Sequence, residues 1–216
     1  MRQDPESKKY LLGPETLRVG YAALSQFDIR NDSLDLLREL AEEVHELTNL
    51  VLLTGNEATY VAQVPALRPV QMFTQLGSRV PLYCTGVGKA MLAYMPDDKV
   101  QMILDGDQLP FTENTITDRA LMEAELLSIR QQGYAVDNEE REVGVRCIAA
   151  PVFNTDGDVV GAVSVSGPSA RVSPQHDREF SGYVLAAAGA ISNRMGFEGV
   201  LRQPSSVDGH ARQRHR

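Results

Sequence analysis

The sequence predicts an α+β domain, a mainly antiparallel sheet with helices covering its faces. Two observations carry this. The apolar period changes from three-and-four to two near Leu50, and the last third of the chain reads as three strands followed by one helix. The turn Asn154-Thr155-Asp156-Gly157, between two β-rich runs, makes those runs neighbours and antiparallel.

Residues 1–9 are polar and charged. Tyr10-Leu11-Leu12 reads as a strand end stopped by Gly13, and Pro14 suits the first turn of a helix reaching about Phe27. A second helix follows, capped by Asp32 or Ser33, with Leu34, Leu37, Leu40, Ala41, Val44 and Leu47 at helical steps. Arg38, Glu39, Glu42, Glu43 and Glu46 read as its solvated side, and His45 as an edge residue. Leu50–Thr54 and Ala58–Val64, joined at Gly55-Asn56, form a hairpin, and Val70–Phe73 reads as a short strand.

An extended piece, Val80-Pro81-Leu82, then leads through Thr85-Gly86-Val87-Gly88 into an apolar helix with Ala90, Met91, Leu92 and Tyr94. A short helix after Pro96 ends near Gly106. Thr117 or Asp118 caps another, carrying Leu121, Ala124, Leu127 and Ile129 to Gly133. Strands follow at Tyr134–Val136, Val145–Phe153 and Val159–Val165. Ser173-Pro174 opens the last helix, with Phe180, Val184, Ala187, Ile191 and Met195 on one side. Beyond Gly199 the tail has the composition of disorder.

Composition excludes several functions. A chain of 216 residues with formal charge −8 is a poor nucleic-acid binder by itself, because phosphate contacts need clustered Lys and Arg. No apolar run approaches a membrane span, the first residues do not begin a signal peptide, and two cysteines point to reduced thiols in a cytoplasm. Two Cys and four scattered His make no zinc pattern.

The glycine turn is the first functional candidate. Free N–H groups at a helix start can take a carboxylate or phosphate. The plainer reading is that Gly86 and Gly88 only turn the chain and cap a helix. A phosphate-binding P-loop is excluded, since Tyr83 stands where its first Gly should be and Ala90 where its Ser or Thr should be. Period two places Ser164 and Ser166 on one side of their strand, against Val163 and Val165 on the other, and two hydroxyls are unusual filling for a dry core. Asp137 reads equally as a turn residue, and Cys147 as a small core residue with no His nearby to act as base.

Three segments together resemble the IclR family of bacterial transcriptional regulators. They are Tyr10-Leu11-Leu12-Gly13-Pro14 with Leu17 and Gly20, the stretch VPLYCTGVGKAMLA, and GYAVDNEEREVGVRCIAAPVF followed by VVGAVSVSGP. The likeness covers roughly Lys9 to Met195. It implies an effector-binding domain with a GAF-like fold at 29–198, a linker helix at 14–28, and at 1–13 the remnant of a wing. The rest of the winged helix-turn-helix lies outside this chain, and 199–216 form a disordered tail.

The resemblance also implies no enzyme activity and no cofactor, but a small organic acid as effector, bound by Gly86, Val87, Asp137, Cys147, Ser164 and Ser166. Apolar walls come from Met72, Val80 and Val145. Tyr83 and Cys84 stand where many members have His and Ala, which would alter the pocket floor. The implied partners are that acid, operator DNA through the winged helix-turn-helix, and further copies in a homodimer or homotetramer. The alternatives are a small-molecule enzyme or a thiol redox sensor using Cys147 and Asp137, the redox version pairing Cys84 with Cys147.

Overall fold

The computed structural model describes residues 2–3, 10–11, 15–16, 28–66, 68 and 74–199. Most of the expected linker helix, the expected strand at Val70–Phe73, and the tail beyond Gly199 lie outside the described residues. β1 (Arg2–Gln3) pairs antiparallel with β2 (Tyr10–Leu11).

Then come α1 (Asp28–Asn31), α2 (Leu34–Val44), β3 (Leu47–Thr54), β4 (Glu57–Val64), β5 (Arg79–Pro81), α3 (Gly86–Leu92), α4 (Asp97–Leu104) and α5 (Arg119–Gln132). β6 (Ala135–Asn138), β7 (Val145–Phe153), β8 (Val159–Pro168), a 3₁₀ turn at Pro174–His176 and α6 (Asp177–Arg194) complete the order. Six strands form one antiparallel sheet in the order β5-β4-β3-β8-β7-β6.

Its two faces bury two separate cores. On one, α1, α2 and α6 cover Leu50, Ile148, Ala150, Val163 and Val165 through Leu37, Leu40, Val184 and Ile191. On the other, α3, α4 and α5 cover Val51, Cys147, Ala149 and Ala162 through Val87, Met91, Met122 and Ile129. Alternation along β7 and β8 feeds both cores at once, so each strand is apolar almost throughout.

Local signals set most ends. Gly55 takes positive φ in the β3–β4 turn, and Gly133 takes positive φ to stop α5. Asp118 caps α5 by accepting from the Leu121 N–H at 2.9 Å. Ser33 stands at the start of α2 without capping it; its hydroxyl donates instead to the Ile29 carbonyl. Leu47 belongs to β3 rather than to α2, which ends at His45 in the left-handed region.

Three expectations about faces fail. Glu46 is 2% exposed, not solvated, because Arg171 pairs with it across the fold at 2.8 Å. α5 buries Met122, Leu126 and Ile129, while Leu121 and Leu127 stand 63% and 56% exposed. β6 extends one residue beyond Asp137, which therefore lies within the strand.

Candidate functional site

Strand register assembles the site from distant segments. Asp137 on β6 faces Cys147 on β7, and Cys147 faces Ser166 on β8, so three side chains lie side by side across the sheet. Two residues along, Ser164 pairs with Asn49 on β3 and with Ala149 on β7. All stand on the α3 face of the sheet, opposite Val163 and Val165.

α3 begins directly over this row. The Thr85 hydroxyl caps it, accepting from Gly88 N–H at 3.1 Å and donating to the Pro81 carbonyl at 2.9 Å. A side chain at Gly86 would place its Cβ 2.9 Å from Cys147 Sγ, and one at Gly88 would place it 2.4 Å from the Leu82 carbonyl oxygen. The glycines are therefore required by close approach, not only by chain turning. Among the described residues, no backbone carbonyl accepts from the Gly86 or Val87 N–H.

Those donors surround the Cys147 thiol. Ser166 is its register partner across the sheet, and Ser166, Ser164 and the Val87 N–H each favour its thiolate, against the larger opposing effect of burial. Burial pushes this thiol up to about 11 and that of Cys84 up to about 12, so both are neutral near pH 7. Burial also pushes the Asp137 carboxyl up to about 7, against the pull of its bond from the Glu140 N–H.

The row opens into a cavity of about 550 Å³. Gly86, Val87, Asp137, Cys147, Ser166, Val80 and Val145, all named above as candidates, line it. Ser164 lies behind the wall, buried, its hydroxyl accepting from Asn49 Nδ2. Met72 lies outside the described residues. Tyr83 and Cys84 are not pocket floor: the Tyr83 hydroxyl turns away to donate to the Leu109 carbonyl at 3.0 Å, and Cys84 is fully buried in the core.

The cavity also has members that sequence reasoning missed, among them Tyr60, Thr74, Phe111 and Arg141. The Arg141 guanidinium lies 3.7 Å over the Phe111 ring, a cation held at the wall by the π face. Fully buried Asn49 donates through Nδ2 to Ser164 Oγ at 3.3 Å and Ser166 Oγ at 3.4 Å. An amide just before the apolar run Leu50-Val51-Leu52-Leu53 was the only local sign of it.

Behind α3, Lys89 is 1% exposed and bonds Glu140 at 2.5 Å and Glu125 at 2.8 Å. Burial pulls its ammonium down, but the two carboxylates more than offset this and leave it raised. The charge of the Gly88-Lys89 pair thus serves the loop after β6 that carries Glu140 and Arg141, not a phosphate. Among the described residues no three metal-ligating side chains gather, and no helix is long and apolar enough to cross a membrane.

The profile of the family described as Bacterial transcriptional regulator IclR C-terminal matches residues 21–193. The HTH-type transcriptional regulator KdgR of Escherichia coli (strain K12) is 36% identical over 196 residues, 90% of this chain and 74% of that one. The crystal structure of the Thermotoga maritima IclR superposes with a TM-score of 0.82 at 34% identity, covering 89% of this chain and 78% of that one. That of the C-terminal domain of the E. coli transcriptional regulator KdgR gives 0.71 at 35% identity, over 79% of this chain and 100% of that one. The fold is accordingly α+β and GAF-like. These relatives are named as regulators, which supports a regulatory and not a catalytic chain. By profile and by fold, this chain belongs to the bacterial transcriptional regulator IclR C-terminal family.

Proposed function

We propose that this chain is the effector-sensing part of a DNA-binding transcriptional regulator, and that the cavity over Asp137, Cys147 and Ser166 takes a small organic acid. The observation that carries the reading is a neutral thiol flanked by donors at the cavity wall: Ser166 beside Cys147 in the strand register, and Val87 at the start of α3 above it. Thiol sulfur is a weak acceptor. An anionic oxygen satisfies the same donors with charge-assisted bonds worth about 1.5–3 kcal/mol each. The Gly86 N–H adds a further donor beside them.

Asp137 then serves a neutral part of the ligand. With its carboxyl near half-protonated at neutral pH, it can accept from a ligand hydroxyl or donate to a ligand carbonyl. Arg141 at the wall supplies attraction for the incoming anion. An acid that favours one arrangement of the dimer or tetramer shifts the linker helices, and through them the winged helix-turn-helix heads on operator DNA.

The test is calorimetric titration of hydroxylated organic acids into the chain and its Asp137→Ala variant. Loss of about tenfold or more in affinity is expected for acids that bind the parent, the value of one hydrogen bond to a charged or buried partner. Equal affinity for every hydroxylated acid would remove Asp137 from the site.

A further inference from the structure

Protons can be counted in the buried amide cluster behind the cavity. Asn49 Oδ1 lies 2.7 Å from Thr74 Oγ1, and Gln63 Oε1 lies 2.6 Å from that same hydroxyl. A hydroxyl carries one proton, so it can donate to only one of two amide oxygens; the other amide must turn and present its NH₂. The arrangements that satisfy Thr74 divide on whether Asn49 turns.

In the first, Gln63 turns. Its NH₂ donates to Thr74, Thr74 donates to Asn49 Oδ1, and both hydrogens of Asn49 Nδ2 go to Ser164 Oγ and Ser166 Oγ. Each serine, having accepted, keeps its own proton to donate. In the second, Asn49 turns, its oxygen accepts from both serines, and serine lone pairs face the cavity instead.

The burial of Asn49 decides between them. It is fully enclosed and, as it stands, has both Nδ2 hydrogens on serine oxygens and Oδ1 accepting from Thr74; turned about, its two N–H hydrogens would share the Thr74 hydroxyl, the one group bonded on that side among the described residues. One buried N–H would go unpaired, which costs the full desolvation of that group. Gln63 is only half-buried, so turning it strands nothing from water. The first arrangement prevails.

We infer that Asn49 is a positioning residue that fixes both serine hydroxyls as donors, Ser166 at the cavity wall and Ser164 behind it, so that through Ser166 the cavity selects an anionic oxygen over a neutral or cationic ligand group. This rests on the reading of the cavity as an effector site. Thr74 is the second part of the device. It lines the cavity and donates to Asn49 Oδ1, holding the amide in the orientation that the serines require.

The orientation can be read without any ligand. In the folded chain, nuclear Overhauser contacts from the Asn49 side-chain NH₂ should run to the Hβ protons of Ser164 and Ser166. Contacts to the Thr74 methyl instead would overturn the inference. Selectivity is read with L-lactate and its neutral isostere L-lactamide, following the Gly86 and Val87 amide resonances.

The parent chain should prefer lactate by about tenfold or more. Asn49→Asp, whose carboxylate can only accept from the serines, should bring that ratio to about one. Thr74→Val keeps the shape and should lower the ratio in the same direction, which decides the matter if the Asp variant does not fold. An unchanged ratio in both variants overturns the positioning role. If the contacts run to the serines and lactate moves neither resonance, the acid-site reading itself falls, and Asn49 is left as a structural amide.

Discussion

Single residues divide the region into what holds the fold and what holds the site. A methyl group at Gly88 meets the Leu82 backbone at 2.4 and 2.5 Å, which cannot yield without moving the chain. Gly88→Ala should cost about 3 kcal/mol, the upper range for overpacking, with a matching fall in denaturation midpoint. A methyl at Gly86 meets the Cys147 side chain first, at 2.9 Å, and enters the space assigned to the ligand. Gly86→Ala should cost less stability and abolish acid binding, measured by urea melts and calorimetry on the same samples. Asp137 gives a pH signature. Its carboxyl is raised by burial to about 7, against about 3.9 in an unfolded chain. Between these values the folded state holds a proton that the unfolded state has lost. The contribution is therefore fully present below about pH 4 and is lost as pH rises through about 7, with a slope of up to about 1.4 kcal/mol per unit. Urea midpoints from about pH 4 to 7 should show that slope flattened in Asp137→Asn.

Elements were more legible in the sequence than the ties between them. Period two located β7 and β8, Gly55-Asn56 the hairpin, and Asp118 with Gly133 the limits of α5, since each signal is local to its own backbone. The candidate residues on β6, β7 and β8 that line the cavity were picked out for a different reason: long motifs in matching order carried the family likeness. What the sequence hid is burial decided by remote partners. Glu46 read as surface until Arg171 met it, and nothing in the sequence marked Lys89 as buried against Glu125 and Glu140, or Asn49 against two serines more than a hundred residues away. The face of α5 was misjudged because Leu121 and Leu127 match a helical stripe as well as Met122 and Leu126 do; only the position of α3 selects one. The Lys89 cluster joins α3 and α5 to the loop after β6, so it tests how elements are held in register. Lys89→Met leaves buried Glu140 without its cation and should cost about 3–5 kcal/mol. Adding Glu140→Gln removes the stranded charge and should restore more than half of that, as a double-mutant cycle in urea would read. Additive losses would mean that the pair is not coupled.

At the scale of the whole molecule, a cavity assembled from α3 and five strands makes ligand binding and folding one equilibrium. Gly86 and Val87 come from one element, Asp137, Cys147 and Ser166 from three others, and Arg141 from the loop between two of them. These groups meet only when the sheet is paired and α3 has docked on it, so the unfolded chain has no comparable site. A ligand that binds the native state alone adds RT ln(1 + [L]/Kd), about 2.7 kcal/mol at one hundred times its dissociation constant. For a chain of this size each kcal/mol moves the midpoint by roughly 2–4 °C, so saturating acid should raise it by roughly 5–10 °C. A melt screen of aliphatic and aromatic acids, each beside its neutral amide, reads this directly. Acids should shift the parent chain and leave Gly86→Ala unmoved. A midpoint that rises equally in the Gly86→Ala chain would place the binding elsewhere on the molecule, because that methyl group fills the space in front of Cys147 and nothing outside it.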